Sequence, residues 1–556
     1  MTTRLTKQVR YWLFTGLALI AFLFLFLVVV AERYVVPQLK ARISAFVVSG
    51  SDSLYTCSIG SLDASFLGGN VEISGLHIGV DSVRYRSLQA AGRLPSLTMK
   101  FDMEHGHMQG VRVLPLVFGK KIDVREVFSK DARVILQRNR RRDTSVLASV
   151  PLWKAMQPDV SRILIGQVRL DNLRFLYTTE DGDRSVKIQF DTCNALIRRI
   201  RIDSVAAADT DRIGFARDVT LHFYDLKFRS ADSSYKLKAK VIDYSSTDRS
   251  LVVQDFKLQP TLKEKDAFYA AAKSRKSMTV IEYDKIAFTN FKVETFLNHN
   301  AIEADSVLVN APKISIYVDK TYPPMLAGKV GQYPHQQLMR AGALIRIKGI
   351  GIRNLSLAYT ERGEKNGQEG TLTLDGINLQ VGNVTNDPAL IRRNNLCVAT
   401  ATGRLLGQSP LEMRFVFPLD STEGQFSASG TIRHVTAAQL NALAPALANT
   451  RLQSLDMHEL RFALHGDDYS ATGDVRMRYD NLFVVLQKTD ERTGTVSTKK
   501  LLTKILNRFT LQSSNPANGT ERVATGVVRS RQMTEPFFAL LWNTVYTGMQ
   551  GIMTGH

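Results

Sequence analysis

One eight-residue pattern constrains this chain more than any other: apolar-x-apolar-x-[Asn/Asp/Gly/Glu]-apolar-x-apolar. It occurs at least nine times. VEISGLHI starts at Val71, VRLDNLRF at Val168, LHFYDLKF at Leu221, LVVQDFKL at Leu251 and IAFTNFKV at Ile286. IGIRNLSL starts at Ile350, LTLDGINL at Leu372, LDMHELRF at Leu455 and MRYDNLFV at Met477. Independent draws from this composition would give about one or two matches, so the pattern is a loose repeat with irregular spacing. Side chains of a strand alternate faces, so positions one and three would oppose positions six and eight. One extra residue at position four or five restores the phase and places all four apolar side chains on one face, as a β-bulge does. Asn, Asp or Gly, the residues most tolerant of the left-handed conformation, fills position five in eight of the nine copies, and Glu459 is the exception. A tight turn at the same residue, joining two short strands, satisfies the pattern equally. Either device gives an all-β body with one apolar face, and a row of bulges would curl the sheet around that face.

Two longer stretches resemble each other. GQVRLDNLRFLYTTEDGDRSVKIQF and KGIGIRNLSLAYTERGEKNGQEGTLTL share a strand, Asn-Leu, a tyrosine (Tyr177 and Tyr359), a polar turn and a return strand. Asp181-Gly182 and Asn366-Gly367 are the turn signals, so each reads as a hairpin. From about Ser51 to Leu486 the chain reads as many such strands, with SVKIQF, YKLKAKVIDY and SATGDVRMRY showing plain alternation. Helical pattern is confined to a few places. HVTAAQLNALAPALANTRL, residues 434–452, carries Leu440, Leu443 and Leu447 on one stripe with a kink at Pro445. TKKLLTKILNRF, Thr498 to Phe509, is basic and amphipathic, suited to a bilayer surface or to an open sheet edge. PFFALLWNTVYTGMQGIMTG, Pro536 to Gly555, is apolar and aromatic, but Asn543, Thr544, Thr547 and Gln550 fit an interfacial or edge-capping helix better than a span.

Tyr11 to Ala31, YWLFTGLALIAFLFLFLVVVA, holds no charged side chain. About 20 helical residues cross a hydrocarbon core of roughly 30 Å, and Tyr11 and Trp12 sit where an interfacial aromatic belt belongs. The run is longer than a signal-peptide core, and Glu32, Arg33 and Tyr34 follow where a small-x-small cleavage site would be needed. The expectation is an uncleaved anchor. Arg4, Lys7 and Arg10 form the denser basic flank, which orients the N-terminus to the cytoplasm and the bulk of the chain across the membrane, in a Gram-negative cell the periplasm.

Composition narrows the function. The 556 residues are 44% hydrophobic and 22% charged, enough for a core and unlike bulk disorder. The formal charge of +20 attracts polyanions or anionic headgroups, yet its clusters (Arg138 with Arg140–Arg142; Arg198, Arg199 and Arg201; Arg392 with Arg393) are short and read as solvated loops. No zinc-finger, RRM or helix-turn-helix signature points to nucleic acid. There is no P-loop, GxSxG, HExxH or strand-linked GxGxxG, so no catalytic residue and no cofactor is expected. His105 and His107 in EHGH could face one way on a strand as metal ligands, but without a third ligand the pair reads as an exposed loop. Cys57, Cys193 and Cys397 are too sparse for a disulfide framework; structural thiols are expected, with a pair among them left open.

A short basic N-terminus, one apolar span, the stretch YVVPQLKARISAFV and then SIGSLDASFLGGNVEISGLHIG together resemble the start of AsmA-like proteins, of the AsmA and TamB group of Gram-negative envelope proteins. Gly60, Leu62, Gly69, Val71, Ile73, Gly75, Leu76 and Ile78 carry the resemblance, which is best over the first hundred residues; the aromatic tail around Phe537, Trp542 and Tyr546 is similar to ends of short AsmA-like proteins of Bacteroidota. The resemblance implies a mainly β fold: an N-terminal transmembrane helix, then an elongated, curled, groove-like sheet with few helices and an amphipathic C-terminal helix. It also implies phospholipid or another envelope lipid as ligand, the inner membrane as anchor point, and movement of lipid toward the outer membrane. Expected segments are a basic tail (1–10), the span (11–31), an amphipathic connector (32–50), an AsmA-like β-unit (51–150), a middle sheet (151–330), a C-terminal sheet (331–495) and a helical tail (496–556). The expected groove lining is Val71, Ile73, Leu76, Ile78, Val168, Leu170, Leu173, Phe175, Ile286, Phe288, Phe291, Val293, Ile350, Ile352, Leu355 and Leu357. An assembly factor offering its sheet edge to an outer-membrane or periplasmic protein is the alternative, and a glycan-acting envelope enzyme a distant third.

Overall fold

A computed structural model describes residues 47–48, 51, 53–65, 69–94, 97–112, 121–138, 161–181, 184–209, 212–213, 215–230, 232–299, 301–325, 327–364, 367–442, 450–489, 496–500, 503 and 506–555. The expected span, the basic tail and nearly all of the connector lie outside these residues. Among the described residues no helix is long and apolar enough to cross a membrane. The chain is mainly β and divides into two compact units, residues 1–256 with 287–303, and residues 257–286 with 304–556.

In the first unit, β1 (Tyr55–Ser65), β2 (Asn70–Val80) and β3 (Leu97–Gln109) are antiparallel neighbours. β3 then pairs with both β4 (Lys121–Lys130) and β5 (Arg133–Arg138), and these two short strands run parallel to successive halves of β6 (Arg162–Asp181). β7 (Arg184–Ile202), β8 (Asp218–Arg229) and β9 (Tyr235–Ser245) continue antiparallel, and β10 (Ser250–Pro260) belongs here through residue 256. Three helices connect or follow these strands: α1 (Ser82–Ala90), α2 (Ser204–Ala208) and, before β12, a helix over Val293–His299.

In the second unit, β11 (Met278–Thr289) and β12 (Ala301–Asn310) precede β13 (Lys313–Asp319). β11 pairs antiparallel with β13, which runs parallel to β14 (Leu344–Arg362). An antiparallel meander follows: β15 (Glu369–Thr385), β16 (Leu396–Leu405), β17 (Ser409–Pro418), β18 (Phe426–Thr436), β19 (Thr450–Gly466) and β20 (Ser470–Thr489). β21 (Val496–Thr498) folds onto the end of β20, and β22 (Val523–Ser530) pairs along its start. Counting the helix at Val293–His299 as α4, the helices are α3 (Lys265–Ala272), α5 (Pro334–Met339), α6 (Pro388–Ile391), α7 (Ala437–Leu440) and α8 (Phe537–Thr554).

In eight of nine places the octad lies inside one strand and is not a turn. Register shifts mark it as a bulge at Asn172, Asn354, Gly376, Glu459 and Asn481, whereas at Gly75 and Asp225 the paired strands change phase together and keep register. Every Asn, Asp or Gly at position five has a positive φ: Gly75 (65°), Asn172 (58°), Asp225 (53°), Asp255 (50°), Asn290 (52°), Asn354 (55°), Gly376 (60°) and Asn481 (59°). Glu459 does not, although β19 bulges beside it and Leu455, Met457, Leu460 and Phe462 all remain buried on one face. Its carboxylate is held between Arg461 (2.8 Å) and Arg433 (3.4 Å). The copy at Ile286 departs from the expectation. β11 ends before Asn290, and Val293 opens α4, so there the left-handed residue ends a strand.

The two resembling stretches are equivalent in structure. β6–β7 and β14–β15 are both long hairpins, with paired register shifts at Leu170/Leu173/Phe175 and at Ile352/Leu355/Leu357. In each, the backbone N–H of the position-five asparagine donates to an asparagine side chain across the pair, Asn172 to Asn194 (2.9 Å) and Asn354 to Asn378 (3.2 Å). The strand line entering each hairpin breaks at a positive-φ residue, Asp131 or Ala311, whose N–H donates to Asp171 O (3.0 Å) or Arg353 O (2.9 Å). Each unit therefore carries one copy of the same parallel-entry hairpin. Gly182 and Asn366 of the turns lie outside the described residues.

Some expected features differ. YKLKAKVIDY does not alternate plainly: Ala239 and Tyr244, an odd number of residues apart, are both buried. EHGH is not a loop but part of β3. The helix expected near 434–452 is reduced to α7, because β18 runs through Thr436 and β19 starts at Thr450, with 443–449 outside the described residues. No disulfide joins Cys57, Cys193 and Cys397.

Candidate functional site

Alternation and bulges sort each unit's strands into a polar face and an apolar face. Ion pairs mark the polar face at the creases: Lys227 with Asp191, Arg199 with Asp218 and Lys257 with Glu282. These pairs lie at the solvent-facing surface, where water screens them, so they orient the face more than they stabilise it. The apolar face is uneven in its exposure, and that unevenness selects the candidate site.

Val71, Ile73, Leu76 and Ile78 point to one side, as the octad requires, but all four are almost fully buried. Their neighbours shift phase at the same level without losing register: Tyr55 and Leu62 of β1 are both buried, as are Met103 and Met108 of β3. Gly60 makes this possible, since a Cβ there would meet Ser74 O at 3.0 Å. This end of the first unit is closed core. Further along, Val168 and Leu173 are buried, whereas Leu170 and Phe175 are half-buried. Phe175 begins a cross-strand ladder with Phe190 (5.9 Å between centroids) and Phe223 (4.7 Å from Phe190), all three half-buried. Leu221, Leu226, Phe228, Leu237 and Ile242 of β8 and β9 have similar exposure. Ile286 and Phe288 are half-buried on β11, Phe291 is buried after that strand ends, and Val293 lies on α4.

The second unit repeats the arrangement. Ile350, Ile352, Leu355 and Leu357 are half-buried on β14, where Ile350 opposes Val381, Ile352 opposes Leu379 and Leu357 opposes Leu374. The same face is then closed from β17 onward. α8 lays Phe537, Leu540, Leu541, Val545 and Ile552 into a core with Phe417, Phe426, Leu460, Val475 and Tyr479. Gly548 allows this approach, because a Cβ there would meet Val475 at 2.6 Å. α8 thus covers the apolar face of the sheet, where the sequence suggested an interfacial or edge-capping helix. A recess of about 540 Å³ on strands β16 to β20 is lined by Thr402, Glu412, Arg414, Arg461 and Asp474 together with Ala401, Met413, Phe462 and Val475, so its walls are mixed.

The ionisable groups near the apolar face report its low polarity. Burial pushes the Tyr244 and Tyr283 hydroxyls far above the usual phenol range, and Tyr359 likewise, helped by Glu361. Burial also raises the Cys193 thiol to about 12 and the Cys397 thiol to about 11, which keeps both protonated and unreactive at neutral pH. His105 contacts Ser74 (3.2 Å), and His107 contacts Gln109 (2.7 Å) and Glu72 (3.7 Å). Among the described residues no group of three His, Cys, Asp or Glu side chains is placed to hold a metal ion.

The sequence reading missed Phe190 and the β9 face. SVKIQF carries the alternation that places Phe190 beside Phe175, so that signal was present. Nothing local in YKLKAKVIDY reveals the phase shift at Lys240, which lies opposite Asp225 on β8. What the fold defines is a class: a mainly β protein of two bulged-sheet units, each presenting a partly exposed apolar face. No protein-family model matches the chain, and no curated protein matches it.

Proposed function

We propose that this chain is a membrane-anchored, AsmA-like envelope protein that binds lipid acyl chains along the half-exposed apolar faces of its sheets and takes part in phospholipid transport or outer-membrane lipid homeostasis. The observation that carries the reading is the Phe175–Phe190–Phe223 ladder, with its counterpart on β14 and β15. These faces hold large apolar side chains half open to solvent. Apolar surface left wet is unfavourable by roughly 25 cal/mol per Å², and a contiguous patch of this kind commonly marks a binding surface. A flexible acyl chain suits such a face, because it needs no polar partner there. The charge-free stretch 11–31 supports an inner-membrane anchor with a cytoplasmic N-terminus and a periplasmic body. The resemblance residues Gly60 and Gly75 meet across β1 and β2 at the first crease. With no nucleotide-binding motif in the sequence, directional movement would draw on a gradient or a partner, and the role proposed is non-enzymatic.

The test is lipid content. The purified full chain should carry co-purifying phospholipid, and Phe223→Asp and Leu355→Asp should each lower it while far-UV circular dichroism stays unchanged. Unchanged lipid content in folded variants would refute the reading. A second reading, an assembly factor acting through a sheet edge, draws on β22, which among the described residues pairs only with β20. It calls for a protein cross-linked along 523–530.

A further inference from the structure

The outer side of α8 carries an apolar, aromatic stripe. Phe538 (64% exposed), Trp542 (45%) and Tyr546 (41%) recur every fourth residue, so they form one stripe on the side away from the core. Trp542 and Tyr546 stack at 6.2 Å with 26° between their planes. Met533, four residues before the helix, is also exposed (60%). The 18 residues Phe537–Thr554 contain no charged side chain. Glu535, just ahead of the helix, is buried and receives a hydrogen bond from Asn543. The exposed Arg522 guanidinium lies against Gly555 at the end of α8. At the near end Phe538 packs edge-on to the half-buried Phe415 of β17, so the stripe is continuous with the sheet's apolar face.

We propose that this stripe is a bilayer-docking surface, with Phe538, Trp542 and Tyr546 seated at the boundary between headgroups and acyl chains and Arg522 available to anionic headgroups at the end of the helix. Trp and Tyr suit that boundary because each presents an apolar ring with one polar atom. A helix without charge can enter it without stripping water from an ion. The helix cannot act as a span, since its inner side is committed to the core of the second unit; it lies on the membrane surface. The Arg522 guanidinium, the Trp–Tyr pair and the absence of carboxylates on α8 favour an anionic bilayer over a protein partner. The inference goes beyond the lipid-binding reading of the sheets and stands on separate residues.

The full chain with Trp12→Phe and Trp153→Phe leaves Trp542 as its only indole. It is reconstituted into phosphatidylethanolamine/phosphatidylglycerol vesicles with and without brominated acyl chains. Trp542 emission should be blue-shifted and quenched by the brominated lipid. Adding Phe538→Ser with Tyr546→Ser should cut that quenching roughly twofold or more, with the melting temperature unchanged because both side chains are exposed. Indifference of Trp542 to brominated lipid in a folded chain would overturn the proposal. So would shielding of Trp542 that arises only when envelope proteins are added. Either result would leave the lipid content lost in Phe223→Asp as a separate measure of the sheet reading.

Discussion

Exchanging the position-five residue should give opposite rankings at two octads of the second unit. Asn354 has φ 55° and is exposed, and its backbone N–H, present in any non-proline residue, makes the bond to Asn378. Asn354→Gly therefore removes little and relieves the Cβ, so its effect is within about 0.5 kcal/mol. Asn354→Val forces a branched side chain into the left-handed region, which costs about 1–2 kcal/mol for an ordinary residue and more with branching. Glu459 occupies the same position on β19 without a positive φ. There Glu459→Gly loses the Arg433 and Arg461 pairs and adds about 0.5–1 kcal/mol of backbone entropy, whereas Glu459→Val keeps a good strand former. The expected order of stability is Gly above Val at 354 and Val above Gly at 459, each by about 1 kcal/mol or more. Hydrogen exchange of the β14–β15 and β19–β20 backbones, followed by mass spectrometry, reads both openings in one experiment. The same order at both sites would refute the claim that the left-handed residue, and not composition, makes these bulges.

Three further outcomes are expected. His335 is buried against Phe417 with Asp468 nearby, and burial lowers it to about 4 from an ordinary 6.5. The unfolded chain takes up this proton first, so the contribution is complete above pH 6.5 and is lost as pH falls toward 4; by pH 5 the loss is about 2 kcal/mol. Urea midpoints at pH 7 and pH 5 should differ for the native chain, and His335→Phe should abolish that difference. Arg531 is buried with Asp468 (3.3 Å), lies over the Tyr333 ring (4.5 Å) and donates to Glu535 O and Lys329 O. Arg531→Met strands a buried carboxylate and should cost about 3–5 kcal/mol by denaturant titration, with a loss under 1 kcal/mol contradicting the pairing. Cys193 and Cys397 should resist maleimide at pH 8 until urea unfolds the chain, and rapid native labelling of either would contradict their burial.

The octad was legible because its cause is local. Asn, Asp or Gly at position five meets a backbone demand that any strand can impose, and the positive φ appears at every such residue. The equivalence of Tyr177 and Tyr359 was legible for the same reason. Phase shifts on β3 and β9 were not, because Glu104 and Lys240, opposite Gly75 and Asp225, carry no turn preference and follow neighbours already bent. Arg199, with φ 55° in β7, hides another octad behind a residue type rare in that conformation; its guanidinium is drawn to Asp218. The parallel entries of β4, β5 and β13 depend on contacts far apart in sequence. The division of the apolar face into closed and open parts depends on what covers it. Val71 and Leu357 occupy comparable octad positions, yet one is buried and the other half-exposed.

The most direct measurement places a photo-cross-linking residue at single positions of the full chain in its native membrane. Phe175, Phe223 and Leu357 should capture lipid, while buried Ile73 and Leu460 and the polar-face Lys227 should not. Lipid adducts at Lys227 equal to those at Phe223, or none at Phe175, Phe223 and Leu357 in a folded chain, would contradict an open acyl-binding face.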